Sequence, residues 1–421
     1  MFVYGVYGVI MTEREKEKPR KTKDSEERKH KGKANGRASR VKSILKRARP
    51  GRKKDDAKKA EKHEKKEKRH ANPAHPHKNP RPRTLKTKRL KVNMFKRVSD
   101  KIAGNREKTI VIALGGNALI RRGQHGTMKE QLFNINHAME QVARLAMRGY
   151  QLVITHGNGP QVGNILIQQE EAAASVPKMP LYACVAQSQG LIGYMIQESL
   201  YNKLHSIGIH IPVVTMITQA LVDRNDKAFA KPTKPIGPYF RDESHLPAHW
   251  HVVETLRGAR RVVASPDPKG IIETEAIKDL LGKAIVIAAG GGGVPVIRDK
   301  IHVSGKKSLA GLYGVEAVVD KDLATAELAK ALKADLLVML TDVDSVYVNW
   351  NKPEHRMRID RMGIEKAEKL LQEGQFHSGN MGPKIEASIR FLKAGGKKVL
   401  ITEIDKLGSA LRGKGGTVIE P

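Results

Sequence analysis

From Thr109 onward, short apolar runs alternate with segments that have the periodicity of a helix. Residues 128–147 show that periodicity clearly, because their apolar side chains recur at the i, i+3, i+4 spacing of a helix packed on a sheet. The apolar runs predict strands at residues 109–114, 151–155, 212–216, 284–289, 335–340 and 398–401. Such alternation predicts an α/β fold, a three-layer sandwich whose mainly parallel central sheet is covered on both faces.

The first two predicted strands both run into loops of glycine and asparagine. The residues of these loops are Gly115, Gly116 and Asn117 after the first strand, and Gly157, Asn158 and Gly159 after the second. Such loops present backbone N–H groups just before a helix, where an anion is stabilised. Ligands of parallel sheets bind at the carboxyl ends of the strands. The two loops therefore predict one site that holds two anionic groups, as phosphoryl transfer requires.

Three further motifs carry chemistry of the same kind. The run 290–293 is four glycines, which can wrap a phosphate with successive amides. Asp320, Lys321 and Asp322 precede a helix predicted to begin near Leu323, and a lysine between two carboxylates would stay charged and held in position. A solvated surface triplet is the alternative. Residues 341–347 could line a nucleotide pocket. Lys384 lies where a loop is predicted to lead into a helix, and its side chain could reach a phosphate.

Other site classes find less support in the sequence. Residues 157–163 superficially match a dinucleotide fingerprint, but no acidic residue ends the following strand to bind a ribose hydroxyl. No P-loop motif occurs. Cys184 is the only cysteine, which excludes a disulfide framework and any cysteine-rich zinc site within one chain. We interpret His156 and Cys184 as packing residues rather than catalytic groups.

The first quarter of the chain has a different composition. Residues 1–108 carry about 25 of the 33 net positive charges and predict a basic, disordered extension and linker before a domain at 109–421. The extension could bind nucleic acid through its charge, although it lacks interleaved aromatic residues for base stacking. No apolar run is long enough for a spanning helix, so we expect a cytoplasmic protein without membrane contact.

Residues 223–251 interrupt the alternation of strand and helix. The segment is polar and rich in proline, with Lys234 between Thr233 and Pro235. We interpret it as part of a small protruding lobe, about residues 223–262, that lies over the site. An ordinary surface insertion is the alternative interpretation.

Taken in order, these motifs resemble carbamate kinases, which are members of the amino acid kinase superfamily. The resemblance runs from about Thr109 to the C-terminal end of the chain. Its most specific blocks are residues 114–118, 155–163, 186–193, 232–238, 314–322, 340–344 and 381–386. The block 232–238, with Lys234 at its centre, separates this group from acetylglutamate and uridylate kinases. The resemblance implies the amino acid kinase fold and reversible phosphoryl transfer between ATP and carbamate, giving ADP and carbamoyl phosphate.

The resemblance also implies a role for each matching residue. The two glycine-asparagine loops would hold carbamate and the transferred phosphoryl group. Lys234 and Lys321 would neutralise that group, and Asp322 would orient the lysines. The nucleotide would be bound by Gly291, Gly292, Asp342, Val343, Tyr347 and Lys384. Mg²⁺ would be held mainly by the nucleotide phosphates, without a dedicated protein metal site, and the enzyme would be a homodimer.

Some residues depart from the pattern of the superfamily. Other amino acid kinases carry a lysine just before the first glycine pair, whereas Ala113 and Leu114 stand here, so Lys234 must supply that charge. Asp267 is an additional acid in the segment 264–268. Two alternatives stay open at this point: a sister kinase with another acceptor, and a non-catalytic nucleic-acid-associated protein with a vestigial kinase fold.

Overall fold

The structure is a computed structural model that describes residues 108–121, 123–241, 246–255, 258–301, 309–376 and 381–421. The side chains of Asn117, Ile301 and Leu309 are not among those described. The predicted basic extension lies outside the described residues except for Lys108, and so do short parts of the predicted lobe and the segment before Lys384.

The described residues form strands and α-helices in frequent alternation. The strands are β1 (Thr109–Leu114), β2 (Gln151–His156), β3 (Val213–Thr215), β4 (Gln219–Val222), β5 (Lys234–Pro235), β6 (His251–Thr255), β7 (Gly258–Val263), β8 (Pro268–Ile271), β9 (Ile285–Ile287), β10 (Val294–Ile301), β11 (Leu309–Gly314), β12 (Leu336–Thr341), β13 (Val346–Val348), β14 (Met357–Ile359), β15 (Arg361–Gly363), β16 (Val399–Glu403) and β17 (Thr417–Glu420). The helices are α1 (Met128–Ala146), α2 (Gly159–Ala172), α3 (Leu181–Ser206), α4 (Thr274–Leu280), α5 (Lys321–Ala331), α6 (Ile364–Gln372), α7 (Met381–Lys393) and α8 (Leu407–Ala410).

The main sheet has eight strands in the order β15-β17-β16-β12-β1-β2-β9-β3. Every pair in it is parallel except β16 with β17. All six predicted strands are present, with bounds that differ from the prediction by no more than two residues. Because β12, β1, β2 and β9 are parallel neighbours, the loops that follow them all emerge at one edge of the sheet.

The two faces of β1 enter two different hydrophobic cores. Ile110, Ile112 and Leu114 pack with α1 and α3 on one face, whereas Val111 and Ala113 pack with α5 and α7 on the other. Alternate side chains of a strand point to opposite faces, so a strand that is apolar at every position must be covered twice. The predicted three-layer sandwich is confirmed.

Helix α1 begins where the apolar periodicity begins. The Thr127 hydroxyl accepts a hydrogen bond from the Glu130 N–H, and the Glu130 carboxylate accepts one from the Thr127 N–H. This reciprocal capping box satisfies two backbone donors that a helix start leaves without partners. A cap of this kind stabilises a helix by about 1 kcal/mol.

A smaller sheet forms within the segment predicted as a lobe. Its strands lie in the order β5-β7-β6 and are all antiparallel. A separate four-stranded sheet, β11-β10-β4-β8, adjoins the segment in sequence at both ends, through β4 and β8. Ile236, which follows β5, is fully buried in a third apolar cluster with Val162 and Val318. The segment is therefore anchored by an apolar side chain at its base while it forms a sheet apart from the main one.

Candidate active site

The first glycine loop lies against the end of the neighbouring strand β12. A Cβ added at Gly115 would lie 2.3 Å from the carbonyl oxygen of Leu340. No side chain fits at such a distance, so the approach of the two backbones requires glycine at this position. The loop Gly115–Asn117 is thereby placed beside Thr341 and the residues that follow it.

The second glycine loop lies between a lysine of α5 and the small sheet. A Cβ added at Gly157 would lie 3.1 Å from Cδ of Lys321. On the other side, the Gly159 carbonyl accepts a hydrogen bond of 2.9 Å from the Gly237 N–H, close to Lys234 in sequence. Arg260, which sequence reasoning missed, brings Nη2 within 3.7 Å of a Cβ added at Gly159. Two cationic side chains, Lys321 and Arg260, therefore lie near the loop at the start of α2.

The side chain of Asn158 holds this loop in place. Its amide nitrogen donates to the Ser188 hydroxyl at 2.8 Å, and Asn158 is itself buried. A Cβ added at Gly291 would lie 2.1 Å from the same nitrogen, and Gly291 and Gly292 both have positive φ. The glycine run 290–293 thus packs under the second loop. Gly291 and Gly292 do not line the cleft that contains Tyr347, and their contact with nucleotide stays a prediction.

Helix α5 begins at Lys321 rather than near Leu323, because Asp320 caps it. Oδ1 of Asp320 accepts a hydrogen bond of 2.8 Å from the Asp322 N–H. Oδ2 of the same carboxylate accepts a hydrogen bond from Nζ of Lys234. One aspartate therefore ends a loop, starts a helix and fixes the lysine of the small sheet at the site.

A second aspartate binds the other two lysines. Oδ1 of Asp322 lies 2.6 Å from Nζ of Lys321, and its Oδ2 lies 3.3 Å from Nζ of Lys384. Asp322 is 3% exposed and Lys384 is 4% exposed. We call Lys234, Asp320, Lys321, Asp322 and Lys384 the lysine-aspartate cluster. With three lysines and two aspartates in their charged forms, the cluster has a net positive charge that suits an anionic ligand.

Burial and charge act against each other in this cluster. Burial alone would raise the pKa of Asp320 and of Asp322, but neighbouring lysines hold the pKa of both carboxyls below the usual range. For Lys321 burial is the stronger effect, so its pKa is lowered even though Asp322 and Asp320 favour the charged form. The lysine predicted to stay charged between two carboxylates is therefore easier to deprotonate than a free lysine.

A cleft of about 440 Å³ lies beyond β12, at the same edge of the sheet. It brings together the predicted residues Asp342, Val343 and Tyr347. It also contains residues that sequence reasoning missed, namely Asp344, Trp350, Arg356, Glu403 and Lys406. The Arg356 guanidinium lies 4.2 Å from the centre of the Trp350 ring. The signal available in the sequence was that Trp350 is one of only two tryptophans in the chain.

Lys384 lies in the lysine-aspartate cluster and does not line this cleft. Its predicted contact with nucleotide would therefore have to be made from within the cluster, at the phosphate end of the ligand. That role stays a prediction.

His156 and Cys184 are both buried. Nδ1 of His156 lies 3.0 Å from the Gly157 carbonyl oxygen, and a Cβ added at Gly290 would lie 2.4 Å from its Nε2. Burial, opposed by the Gly157 carbonyl and assisted by the charge of Lys321, lowers the pKa of His156 to about 4. Burial also raises the pKa of the Cys184 thiol. Both residues pack as the sequence interpretation proposed.

Within the described ranges, no group of three or more His, Cys, Asp or Glu side chains is arranged to hold a metal ion. Asp320 and Asp322, the two acids of the lysine-aspartate cluster, are both paired with lysines. In the same part of the chain, no helix is long and apolar enough to cross a membrane.

The pKa of His156 gives the protein a predictable sensitivity to acid. Its folded-state pKa of about 4 lies below the ordinary value of 6.5, so the unfolded chain binds a proton that the folded chain does not. The free energy of unfolding should therefore fall as pH falls from about 6.5 to about 4, by about 2 kcal/mol at pH 5. Urea unfolding of wild type and His156→Gln at pH 8 and pH 5 measures this. The variant should lose about 2 kcal/mol less than wild type, and equal losses would contradict the assignment.

Known proteins match this chain over almost their whole length. The family model described as the amino acid kinase family matches residues 108–403. The carbamate kinase of Pyrococcus horikoshii is 46% identical over 320 residues, which are 74% of this chain and 99% of that protein. The carbamate kinase of Thermococcus kodakarensis is 44% identical over 321 residues, again 99% of its length.

Solved structures agree. The carbamate kinase from Giardia lamblia bound to citric acid has a TM-score of 0.69 at 39% identity, and the match covers 74% of this chain and 98% of that one. The same enzyme bound to AMP-PNP has a TM-score of 0.67. The chain therefore belongs to the amino acid kinase family and, within it, to the carbamate kinases.

Proposed function

We propose that this chain interconverts ATP and carbamate with ADP and carbamoyl phosphate. The observation that carries the proposal is the lysine-aspartate cluster, which lies beside two glycine loops at the carboxyl edge of a parallel sheet. Relatives named carbamate kinase, matched over 99% of their length, support the same activity. The acceptor is a carboxylate-type oxygen, which is already an anion, so the reaction requires no general base.

The transfer consists of one bond formed and one broken. A carbamate oxygen attacks the γ-phosphorus of ATP, and the bond from that phosphorus to the oxygen bridging to the β-phosphate breaks. The electron pair of the broken bond leaves with ADP. Catalysis then depends on positioning and on charge that neutralises the oxygens of the moving phosphoryl group. Lys234 and Lys321 supply that charge, and Asp322 orients Lys321.

The glycine loops hold the reacting groups through their backbone. Gly115 and Gly116 with Asn117 contact one anionic group, and Gly157 and Gly159 contact the other. The Asn158 side chain is committed to Ser188, so this residue contributes through its backbone and its position at the start of α2. Helix α2 directs the positive end of its dipole at the same place.

The cleft at Asp342, Val343 and Tyr347 receives the nucleotide. Trp350 and Arg356 provide a flat face and a cation beside it, while Lys406 adds positive charge at its rim. The Giardia lamblia enzyme was solved bound to AMP-PNP, which supports a nucleotide site in this fold. Mg²⁺ would be held mainly by the nucleotide phosphates and would neutralise part of their charge, since the acids of the cluster are engaged with lysines.

A homodimer is part of the proposal. Helix α3 presents Leu191, Tyr194 and Tyr201 to solvent at spacings of three and seven residues, so they share one face. Exposed apolar side chains grouped on one helix face are typical of a protein interface. The occupant we expect on this face is the same face of a second copy, as in a two-fold symmetric dimer.

The activity is tested by incubating purified protein with carbamoyl phosphate and Mg-ADP and measuring ATP by luciferase. ATP should form in proportion to enzyme. Lys321→Met should lower kcat at least about 100-fold, because a charge that stabilises the transferring group is removed. Lys330→Met is the matched control, since Lys330 lies on the same helix, is exposed and pairs only with Glu327 among the described residues.

Three results of this assay are informative. Absence of ATP with the wild-type protein would overturn the proposed activity. Activity in Lys321→Met equal to that of the Lys330→Met control would remove Lys321 from its proposed role. Retention of the native circular dichroism spectrum in both variants shows that any loss is a loss of chemistry.

The dimer is tested by sedimentation velocity of wild type and Tyr194→Glu. Wild type should sediment as a dimer, and the variant should shift toward monomer because a carboxylate is buried without a partner in the interface. Met357→Glu, at an exposed residue of β14, is the control and should leave the dimer unchanged. A monomeric wild type at micromolar concentration would contradict this part of the proposal.

A further inference from the structure

The small sheet is joined to the rest of the protein by two chain segments that run side by side. Strand β4 leads into it and strand β8 leads out of it, and these strands pair antiparallel with Val222 opposite Pro268. Just beyond this pair, the Asp267 N–H donates a hydrogen bond of 2.8 Å to Oδ2 of Asp226. The other oxygen of Asp226 accepts a hydrogen bond of 2.8 Å from the Ala228 N–H. The two segments are therefore hydrogen-bonded to each other where the predicted lobe begins.

The Asp267 side chain points away from this tie and toward helix α7. Its Oδ1 lies 2.5 Å from Nη1 of Arg390, while Nη2 of Arg390 lies 2.5 Å from Oε1 of Glu386 in the same helix. Burial alone would raise the pKa of Asp267, but Lys269 and Arg390 hold it below the usual range. The carboxylate is thus ionised and available to bind α7 throughout the physiological pH range.

Both ends of this linkage lead to the lysine-aspartate cluster. Helix α7 carries Lys384, whose ammonium group contacts Asp322. On the other side, the Thr233 N–H, adjacent to Lys234, donates a hydrogen bond of 3.1 Å to the carbonyl of Val263, at the end of the returning strand. The next residue, Ala264, accepts a hydrogen bond of 2.9 Å from the Val318 N–H, two residues before Asp320. Through these hydrogen bonds and the Asp267–Arg390 ion pair, the segment from Val263 to Asp267 links the regions of Lys234, Asp320 and α7.

On the basis of the proposed function, we propose that Asp226, Asp267 and Arg390 form a clamp that positions Lys234 relative to Lys384 for phosphoryl transfer. We call these three residues the stalk clamp. Lys234 reaches the site from a separate sheet, whereas Lys384 reaches it from a helix of the central domain. A tie between their supports sets the distance between the two ammonium groups. These are positioning residues, because they act through the lysines and not on the substrate.

The ion pair at the centre of the clamp is only partly buried, with the side chains of Arg390 and Asp267 33% and 31% exposed. Pairs with this exposure contribute little to the free energy of folding. A misplacement of about 1 Å in a catalytic group can nevertheless lower a rate by up to about 100-fold. Loss of the stalk clamp should therefore lower the reaction rate much more than it lowers thermal stability. This difference separates a positioning role from a structural one.

The experiment compares steady-state ATP formation by wild type, Asp267→Asn and Arg390→Gln. Each variant should lower kcat by about 5- to 10-fold, with the KM for ADP changed less than twofold. Arg390→Lys, which keeps the charge, should recover part of the loss. Lys269→Gln is the matched control, because Lys269 contacts the same carboxylate at 2.9 Å from the exposed side and does not bind α7. Its kcat should stay within twofold of wild type.

The same substitution in a Lys234→Met protein tests whether the effect on kcat acts through Lys234. In a Lys234→Met protein, Asp267→Asn should lower kcat less than twofold further, because the group that the clamp positions is already gone. The same 5- to 10-fold loss in both backgrounds would overturn the proposal and leave Asp267 with a structural role. Unchanged kcat in both Asp267→Asn and Arg390→Gln would overturn it as well. Inactive wild type would instead reject the proposed function, so the two failures are distinguishable.

Discussion

The carboxylate of Asp322 makes the interaction on which the site depends. It is almost completely buried and binds two lysine ammonium groups, one from its own helix and one from α7. A buried lysine without such a partner would lose its proton, because the charged form is poorly solvated in the protein interior. Asp322 therefore favours the charged form of Lys321, which burial disfavours. Asp320 binds a third ammonium group, that of Lys234 in the small sheet.

The fold explains why these groups meet. Parallel neighbours end at one edge of the sheet, so two glycine loops, the start of α5 and the cleft beyond β12 share that edge. Asp320 is the N-cap of α5 and Asp322 lies in its first turn, where the helix dipole favours negative charge. The dipole thus helps to keep both acids ionised, and the ionised acids help to hold the lysines. The N-terminus of α5 and the charges of the lysine-aspartate cluster therefore stabilise each other.

Much of the site could be predicted from sequence because its motifs are local. A strand followed by glycine and asparagine is consistent with an anion loop or with an ordinary tight turn, and the order of several such motifs led to the carbamate kinases. The pairing of Lys384 with Asp322 was not predictable in this way, since 62 residues separate the two and only the packing of α7 on α5 brings them together. Arg260 was missed for the same reason, because only the packing of the small sheet brings it close to Gly159.

The glycine run 290–293 shows that a local motif can have more than one physical reason. Its composition predicts a phosphate loop, yet close packing against His156 and Asn158 gives Gly290 and Gly291 a steric reason as well. Val319 and Ala220 crowd Gly292 and Gly293 in the same way. The start of α5 was displaced by two residues because an aspartate can serve as a helix cap or as a helical residue, and the sequence alone does not choose. Here the cap geometry of Asp320 decides, with its backbone extended and its side chain bonded to the Asp322 N–H.

In the proposed reaction, the negative charge of Asp322 keeps Lys321 and Lys384 in place for the transferring phosphoryl group. The most direct measurement is the single-turnover rate of ATP formation in Asp322→Asn, which keeps the shape and removes the charge. The rate should fall at least about 100-fold while the affinity for ADP stays within about threefold of wild type. A folded variant whose single-turnover rate lies within a few-fold of wild type would contradict the account.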